Sequence, residues 1–447
     1  MITRGELLRK VVHMSVGLIA FSVRFLGPAG SAACALGATL FNLLLLPRLG
    51  GKSLWREEET ARGASLGIVL YPLTVLLLIL ACWRRLEVAA AVWGILAFGD
   101  GMASLVGMSI GRQKLPWNPG KSWAGTIAYW VFGTAGCATL LLWTAQGSGR
   151  EYGLSFALAI SAAAALLAAA LESLPQGLDD NLGVPLVTGL FLFCLTLTVG
   201  NYGALASDEL LGRVAVGAGV NLVLAVLGYA TRGVNLSGFI AGFLVGTLIY
   251  TCLDWRGYLL LLTFFVLGTA ATKLGYQRKA AAGLAQEGGG RRGAKHALAN
   301  TWVAAASAFF ALTTAHPELF TLTFAAAFAT KTSDTAASEI GQLWGRRTFL
   351  LTTLRPVPRG TEGAVSLEGT VAGILGSLVV AVLGAAVGLF SFSWIWVVVL
   401  AAFVGTTLES LVGATLEKRG LLDNEAVNFL NTLIGALTAA AAYAFLA

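Results

Sequence analysis

Apolar runs of about 17 to 25 residues succeed one another along almost the whole chain, and this feature leaves the fewest folds open. A run of that length crosses a bilayer as a helix, because a helix satisfies every backbone group within the run itself. The runs fall near 7–27, 29–47, 64–82, 87–110, 122–146, 154–174, 184–204, 210–230, 236–252, 257–275, 298–314, 319–341, 367–390, 393–416 and 425–446, about fifteen in all. They predict an all-α polytopic membrane protein. Composition agrees, with 57% hydrophobic residues, 12% charged and a mean hydropathy of +0.77, far from the soluble range. The five cysteines (Cys34, Cys82, Cys137, Cys194, Cys252) lie in or beside apolar runs without metal or disulfide spacing and read as core thiols. The basic start (Arg4, Arg9, Lys10) before an apolar run has the look of a signal peptide, but no small-residue cleavage site follows, so it is taken as the first span.

The net charge of +7 is read as basic loops on the cytoplasmic side, not as a surface for nucleic acid. With the N-terminus cytoplasmic, 23 of the 30 lysines and arginines fall on that side, 6 outside and Lys331 within the bilayer. An integral protein of the cytoplasmic membrane with its basic loops toward the cytoplasm is the expectation.

Two of the runs end in carboxylates on the same pattern. Asp100 to Arg112 reads DGMASLVGMSIGR and Asp334 to Arg346 reads DTAASEIGQLWGR, both fitting D-x-x-A-S-x-[VI]-G-x-x-x-G-R without a gap. On a helix the Asp, Ala, Ser and Gly positions form one small, polar stripe. An ionisable residue at membrane depth is expensive and points to function. Around these stripes, spans one to seven match spans nine to fifteen, and the eighth span restores parity so that both copies keep one orientation. The prediction is two parallel seven-helix repeats joined by a linker helix, with domains at 1–205, 206–232 and 233–447.

After the first aspartate comes RQKLPWNPGKSWAGT (Arg112 to Thr126), where Pro116, Pro119 and Gly120 exclude helix and present Lys114 and Lys121 on an ordered turn. Ser122, Gly125 and Thr126 then open a span whose first amides and dipole suit an anion. Two GKS triplets, at Gly51 to Ser53 and Gly120 to Ser122, lack the glycine spacing and strand–helix context of a P-loop, which is rejected. Glu172, Asp180 and Asn181 offer hard oxygens of the kind Mg²⁺ prefers; Asp179 reads as a solvated turn residue. His13, about one turn after Lys10, is read as an interfacial histidine before a catalytic one.

In the second copy Lys331 and Asp334 stand at i, i+3 and can neutralise each other. Ser338 repeats the position of Ser104, and Glu339 follows it. The turn Thr348 to Thr370 contains Gly360, Thr361 and Ser366, and its Gly369 and Thr370 match Gly125 and Thr126. Arg346, Arg347, Arg355 and Arg359 replace lysines with groups suited to bidentate phosphate recognition, which implies a more anionic acceptor. Glu409 matches Glu172, and Asp423 with Asn424 matches Asp180 with Asn181. The Gly-rich loop carrying Arg291, Arg292, Lys295 and Asn300 is an interfacial linker or a substrate loop.

The first copy resembles the phytol kinase family, and more broadly the dolichol kinase and CTP-dependent lipid kinase group, on FGDGMASLVGMSIG (98–111) with KLPWNPGKSWAGT (114–126). It departs at Ser104, where plant-type phytol kinases usually carry a second aspartate. The second copy resembles the phytyl phosphate kinase family on ATKTSDTAASEIG (329–341), TFLLTTLRPVPRGTEGAVSLEGT (348–370), ESLVGAT (409–415) and DNEAVNFLNT (423–432). The resemblance implies a kinase using CTP and Mg²⁺, acting on an isoprenoid alcohol in the first half and on an isoprenyl monophosphate in the second, with the acceptor's tail among the membrane lipids. Asp100 and Asp334 are then the expected bases or metal ligands, with Glu172, Asp180, Glu339, Glu409 and Asp423 completing acidic sites. Arg112, Lys114 and Lys121 would hold nucleotide phosphates, and Arg346, Arg355 and Arg359 those of the second site. The alternatives are a CTP-dependent cytidylyltransferase making a CDP-lipid, and a two-repeat transporter with Lys331 and Asp334 as an ion relay.

Overall fold

The computed structural model describes residues 4–49, 66–175, 179–198, 207–231, 234–281 and 293–446. The first GKS triplet, and Arg291 with Arg292, lie outside the described residues. The chain divides into two compact units, Met1–Leu197 and Thr198–Ala447.

In the first unit, helix Arg4–Gly17 continues through a 3-10 turn into Val23–Leu40. Gly27, at φ 65° and ψ −177°, breaks the run before Pro28, so two expected spans become one kinked run. Only glycine takes that backbone conformation without strain. Helix Leu66–Ala81 follows, and then Leu86–Gly94, which passes through a π turn into Asp100–Ile110. Every residue of Leu86–Gly94 after the first is buried. It packs on helix Trp123–Gly147 through two facing glycines: a Cβ on Gly94 would lie 2.6 Å from the Gly136 carbonyl oxygen, and one on Gly136 2.9 Å from that of Gly94. Small residues let helices approach in this way where lipid supplies no hydrophobic drive between them. Helices Leu154–Ser173 and Asp180–Thr196 complete the unit.

In the second unit, the centre is helix Pro317–Trp344, buried without interruption from Phe320 to Asp334. Around it stand Ala294–Thr313, Leu367–Ala386, Ile395–Val412 and Asn424–Leu446. The run Leu236–Lys273 is broken at Leu253 and Asp254, between the two spans expected there. Helix Asp208–Ala230, expected as a separate linker, belongs to this unit, where Tyr258 donates a hydrogen bond of 2.8 Å to Asn221 Oδ1.

Among the described residues nine helices are long and apolar enough to cross a membrane, and Gly67–Ala81 and Asp180–Thr196 are shorter apolar ones. Ala294–Thr313 and Pro317–Trp344 are helical where spans were expected but are absent from the nine. Packed among several other helices, they carry more Thr, Ser and Asn. Among the described residues the paired strands are two small antiparallel hairpins, Lys114–Leu115 with Asn118–Ser122 and Thr348–Leu350 with Ala364–Ser366. Cys34, read as a core thiol, is exposed, and Cys194 is only partly buried.

Candidate functional site

Both units build the same local junction. In the first, the hairpin delivers Ser122 to the start of helix Trp123–Gly147, where its hydroxyl accepts from the Gly125 amide at 3.2 Å and Thr126 donates to the Ser122 carbonyl. In the second, Ser366 accepts from Gly369 at 3.1 Å and Thr370 donates to the Ser366 carbonyl. These are N-caps, which satisfy amides the helix leaves unpaired. The small stripe of each aspartate helix lies against this cap. A Cβ on Gly125 would stand 2.9 Å from the Ala103 carbonyl oxygen, and one on Gly369 2.5 Å from that of Ala337. Gly369→Ala is therefore expected to push the two helices apart and cost about 1–3 kcal/mol. Gly219→Ala, where an added Cβ meets nothing, should be neutral or stabilising, and thermal unfolding in detergent compares the two.

Beside the first junction lies a cavity of 840 Å³. Asp100, Ser104, Arg112, Lys114, Lys121, Ser122, Gly125, Thr126, Glu172, Asp180 and Asn181, spread over eighty residues of sequence, all line it. Lys121 is ion-paired with Glu172 and reaches Asp180 at 3.0 Å. Burial opposes its charge, but Glu172 and Asp180 outweigh that and raise its pKa, so the ammonium persists through neutral pH. A raised lysine pKa stabilises the fold at all pH below the ordinary lysine value and is lost only in alkali. Asn181 donates to Asp179, whose side chain in turn caps helix Asp180–Thr196.

Asp100 has partners that its own motif does not supply. Lys10 donates to its Oδ2 at 2.8 Å, and His13 Nε2 lies 3.4 Å from the same oxygen and 3.0 Å from the Leu96 carbonyl. Both come from the N-terminal helix, seated against the aspartate helix where Gly101 leaves room for Met14. The sequence offered only their helical spacing as a signal. In the second unit the ammonium arrives from within the helix: Lys331 reaches Asp334 at 2.6 Å and also bonds Asn428. Asn428 donates to Asn424 at 3.0 Å, and Asn424 to Glu417 at 3.4 Å. Neither Asn428 nor Glu417 carries a spacing signal in the sequence that marks it as part of this site.

The second cavity measures 290 Å³, and Asp334, Ser338, Gly360, Thr361, Ser366, Gly369, Thr370, Glu409 and Asn424 line it. Its ionisable lining among the described residues is Asp334, Glu362, Glu409 and Glu417, without lysine or arginine. The arginines expected here are elsewhere: Arg359 donates to the Leu343 carbonyl at 3.4 Å, the Arg346 amide donates to Glu368, and Arg355 is exposed on the turn. Glu339 is ion-paired in the interior with Lys279. Asp423 faces outward to Lys295 at 2.7 Å, a bond that lowers its pKa.

The integral membrane protein DUF92 family model matches residues 219–436. An uncharacterized membrane protein of Synechocystis sp. is 48% identical over 209 residues, 45% of this chain and 80% of that protein. The chain belongs to the DUF92 family of integral membrane proteins. This DUF92 protein is also 40% identical to the chloroplastic protein VTE6 of Arabidopsis thaliana over 228 residues, 49% of the chain and 68% of VTE6. The probable phytol kinase 2 of Oryza sativa subsp. japonica, chloroplastic, is 33% identical over 204 residues, 41% of the chain and 64% of that protein. No solved structure matches.

Proposed function

We propose that this DUF92 protein is a bifunctional membrane kinase. Its first unit phosphorylates a long-chain isoprenoid alcohol and its second converts the monophosphate to the diphosphate, with CTP as donor and the cavities opening toward the cytoplasm at the cytoplasmic membrane. The observation that carries the reading is that each unit holds its own motif aspartate in its own polar cavity beside a capped helix start. Likeness to a protein named as a probable phytol kinase supports the acceptor class.

Phosphoryl transfer needs positioned phosphates and charge stabilisation more than covalent help. Arg112, Lys114, Lys121 and Asp100 line one cavity; in this reading the three cations would hold nucleotide phosphates and Asp100 would take the proton of the acceptor hydroxyl. In the second, the lining carboxylates repel an anionic acceptor on their own. Among the described residues no three His, Cys, Asp or Glu side chains converge to hold a metal ion. That donor set still fits Mg²⁺, which takes one or two carboxylates and completes its shell with water and phosphate oxygens. Asp334 with Glu409 is the pair that would hold it in the second unit; in the first, Lys121 spans Glu172 and Asp180, and those carboxylates would hold the ion with Lys121 turned to the nucleotide phosphates. The ion would neutralise phosphate charge.

Purified protein given phytol or geranylgeraniol and CTP labelled at either the α or the γ phosphorus tests the reading. Sequential γ-labelled mono- and diphosphates are expected. A product retaining cytidine would make it a cytidylyltransferase, and flux across liposomes without nucleotide consumption a transporter. Lys121→Ala should lower kcat/KM for nucleotide in the first step by on the order of 10–100-fold, the worth of a charged hydrogen bond, and leave the second step unchanged.

A further inference from the structure

In both units an ammonium meets the motif aspartate, but it comes from a different place in the chain. Lys331 stands three residues before Asp334 on the same helix and reaches it at 2.6 Å. The matching position before Asp100 is Ala97, which is fully buried. The N-terminal helix Arg4–Gly17 leaves no room for a lysine there, since even a Cβ on Gly17 would collide with the Ala97 Cβ. That same helix brings Lys10 instead, whose ammonium donates to Asp100 Oδ2 at 2.8 Å.

Lys10 and Asp100 both line the first cavity, with their side chains largely buried. His13 Nε2 also lies 3.4 Å from Oδ2, but its shorter contact, at 3.0 Å, is with the Leu96 carbonyl, so Lys10 is the principal holder. Both contacts fall on the same oxygen, and the other oxygen of the carboxylate is the one left for chemistry. A reacting group works only when neighbouring hydrogen bonds fix its direction. The ammonium is kept in both units although its source moves from the aspartate's own helix to a separate one.

We propose that Lys10 is a positioning residue for the first phosphoryl transfer, anchoring Asp100 through Oδ2 so that its second oxygen takes the proton of the acceptor hydroxyl. The proposal rests on the kinase reading. In that step the acceptor oxygen bonds the γ-phosphorus of the nucleoside triphosphate and the bond from that phosphorus to the bridging oxygen breaks. The nucleoside diphosphate leaves, and the hydroxyl proton goes to Asp100. Lys10 acts through Asp100 and not on the reacting atoms. Its contribution is orientation, and a displacement of about 1 Å at a reacting group is enough to slow a reaction by about 100-fold.

The experiment uses the full chain in nanodiscs with γ-labelled CTP, geranylgeraniol for the first step and geranylgeranyl monophosphate for the second. Lys10→Met keeps the apolar stem and removes the ammonium. It should lower kcat of the first step on the order of 10–100-fold with KM for the alcohol unchanged, as when an interaction serves the transition state alone, and leave the second step as in the parent. Lys10→Ala should lose as much and regain activity with propylammonium, which fills the vacated space and returns a cation to Asp100. Tetrapropylammonium, of the same charge but without an N–H, should restore nothing. Parental kcat in Lys10→Met, or an effect on KM alone, overturns the role of Lys10 and leaves the kinase reading standing. So does a Lys10→Ala protein with an intact second step that propylammonium does not rescue. A parent protein that phosphorylates no alcohol fails the kinase reading, and this inference with it.

Discussion

Asp100→Asn abolishes phosphorylation of the isoprenoid alcohol and leaves phosphorylation of the monophosphate intact, and Asp334→Asn does the reverse: that is the expected result with the largest effect on activity. Asparagine keeps the shape of each side chain and removes the charge that holds Lys10 at 2.8 Å in one unit and Lys331 at 2.6 Å in the other. A positioned proton acceptor contributes about 10²–10⁴-fold, and losses of that size are expected in one activity at a time. Separating labelled mono- and diphosphates after supplying either acceptor measures both. Equal loss of both activities in either variant contradicts two independent sites.

Lys279→Met is expected to have the largest effect on stability. The side chains of Lys279 and Glu339 are 3% and 9% exposed, and Lys279 also donates to the Thr272 carbonyl at 2.8 Å, near the end of the long helix before it. Removing the cation strands a carboxylate inside the unit, at a cost of about 3–5 kcal/mol. The double variant Lys279→Met/Glu339→Leu should recover most of that, since an apolar pair of similar volume avoids desolvating either charge. Thermal unfolding in nanodiscs reads both. A single variant as stable as the parent would show that the pair is not buried as described.

The small-residue stripe was legible because helical periodicity is local: spacing alone puts Asp100, Ala103, Ser104, Gly107 and Gly111 on one face. The turn at Pro116 to Gly120 was legible for the same reason. What the stripe is for was not. Its glycines clear a path for a capped helix start, and this depends on a hairpin that sets Ser122 and Ser366 against them. The arginine-rich turn misled for a related reason. Composition counts cations but does not say where they lie, and neither Arg355 nor Arg359 lines the second cavity.

By itself the sequence determined that this is a helical membrane protein carrying one motif twice, because apolar length and residue spacing are properties of a chain segment alone. Only the tertiary structure decided which charge meets which. Lys10 reaches Asp100 across 90 positions and Lys279 reaches Glu339 across 60. Pairing buried ions depends on helices being brought side by side, and no local pattern records which helix becomes the neighbour.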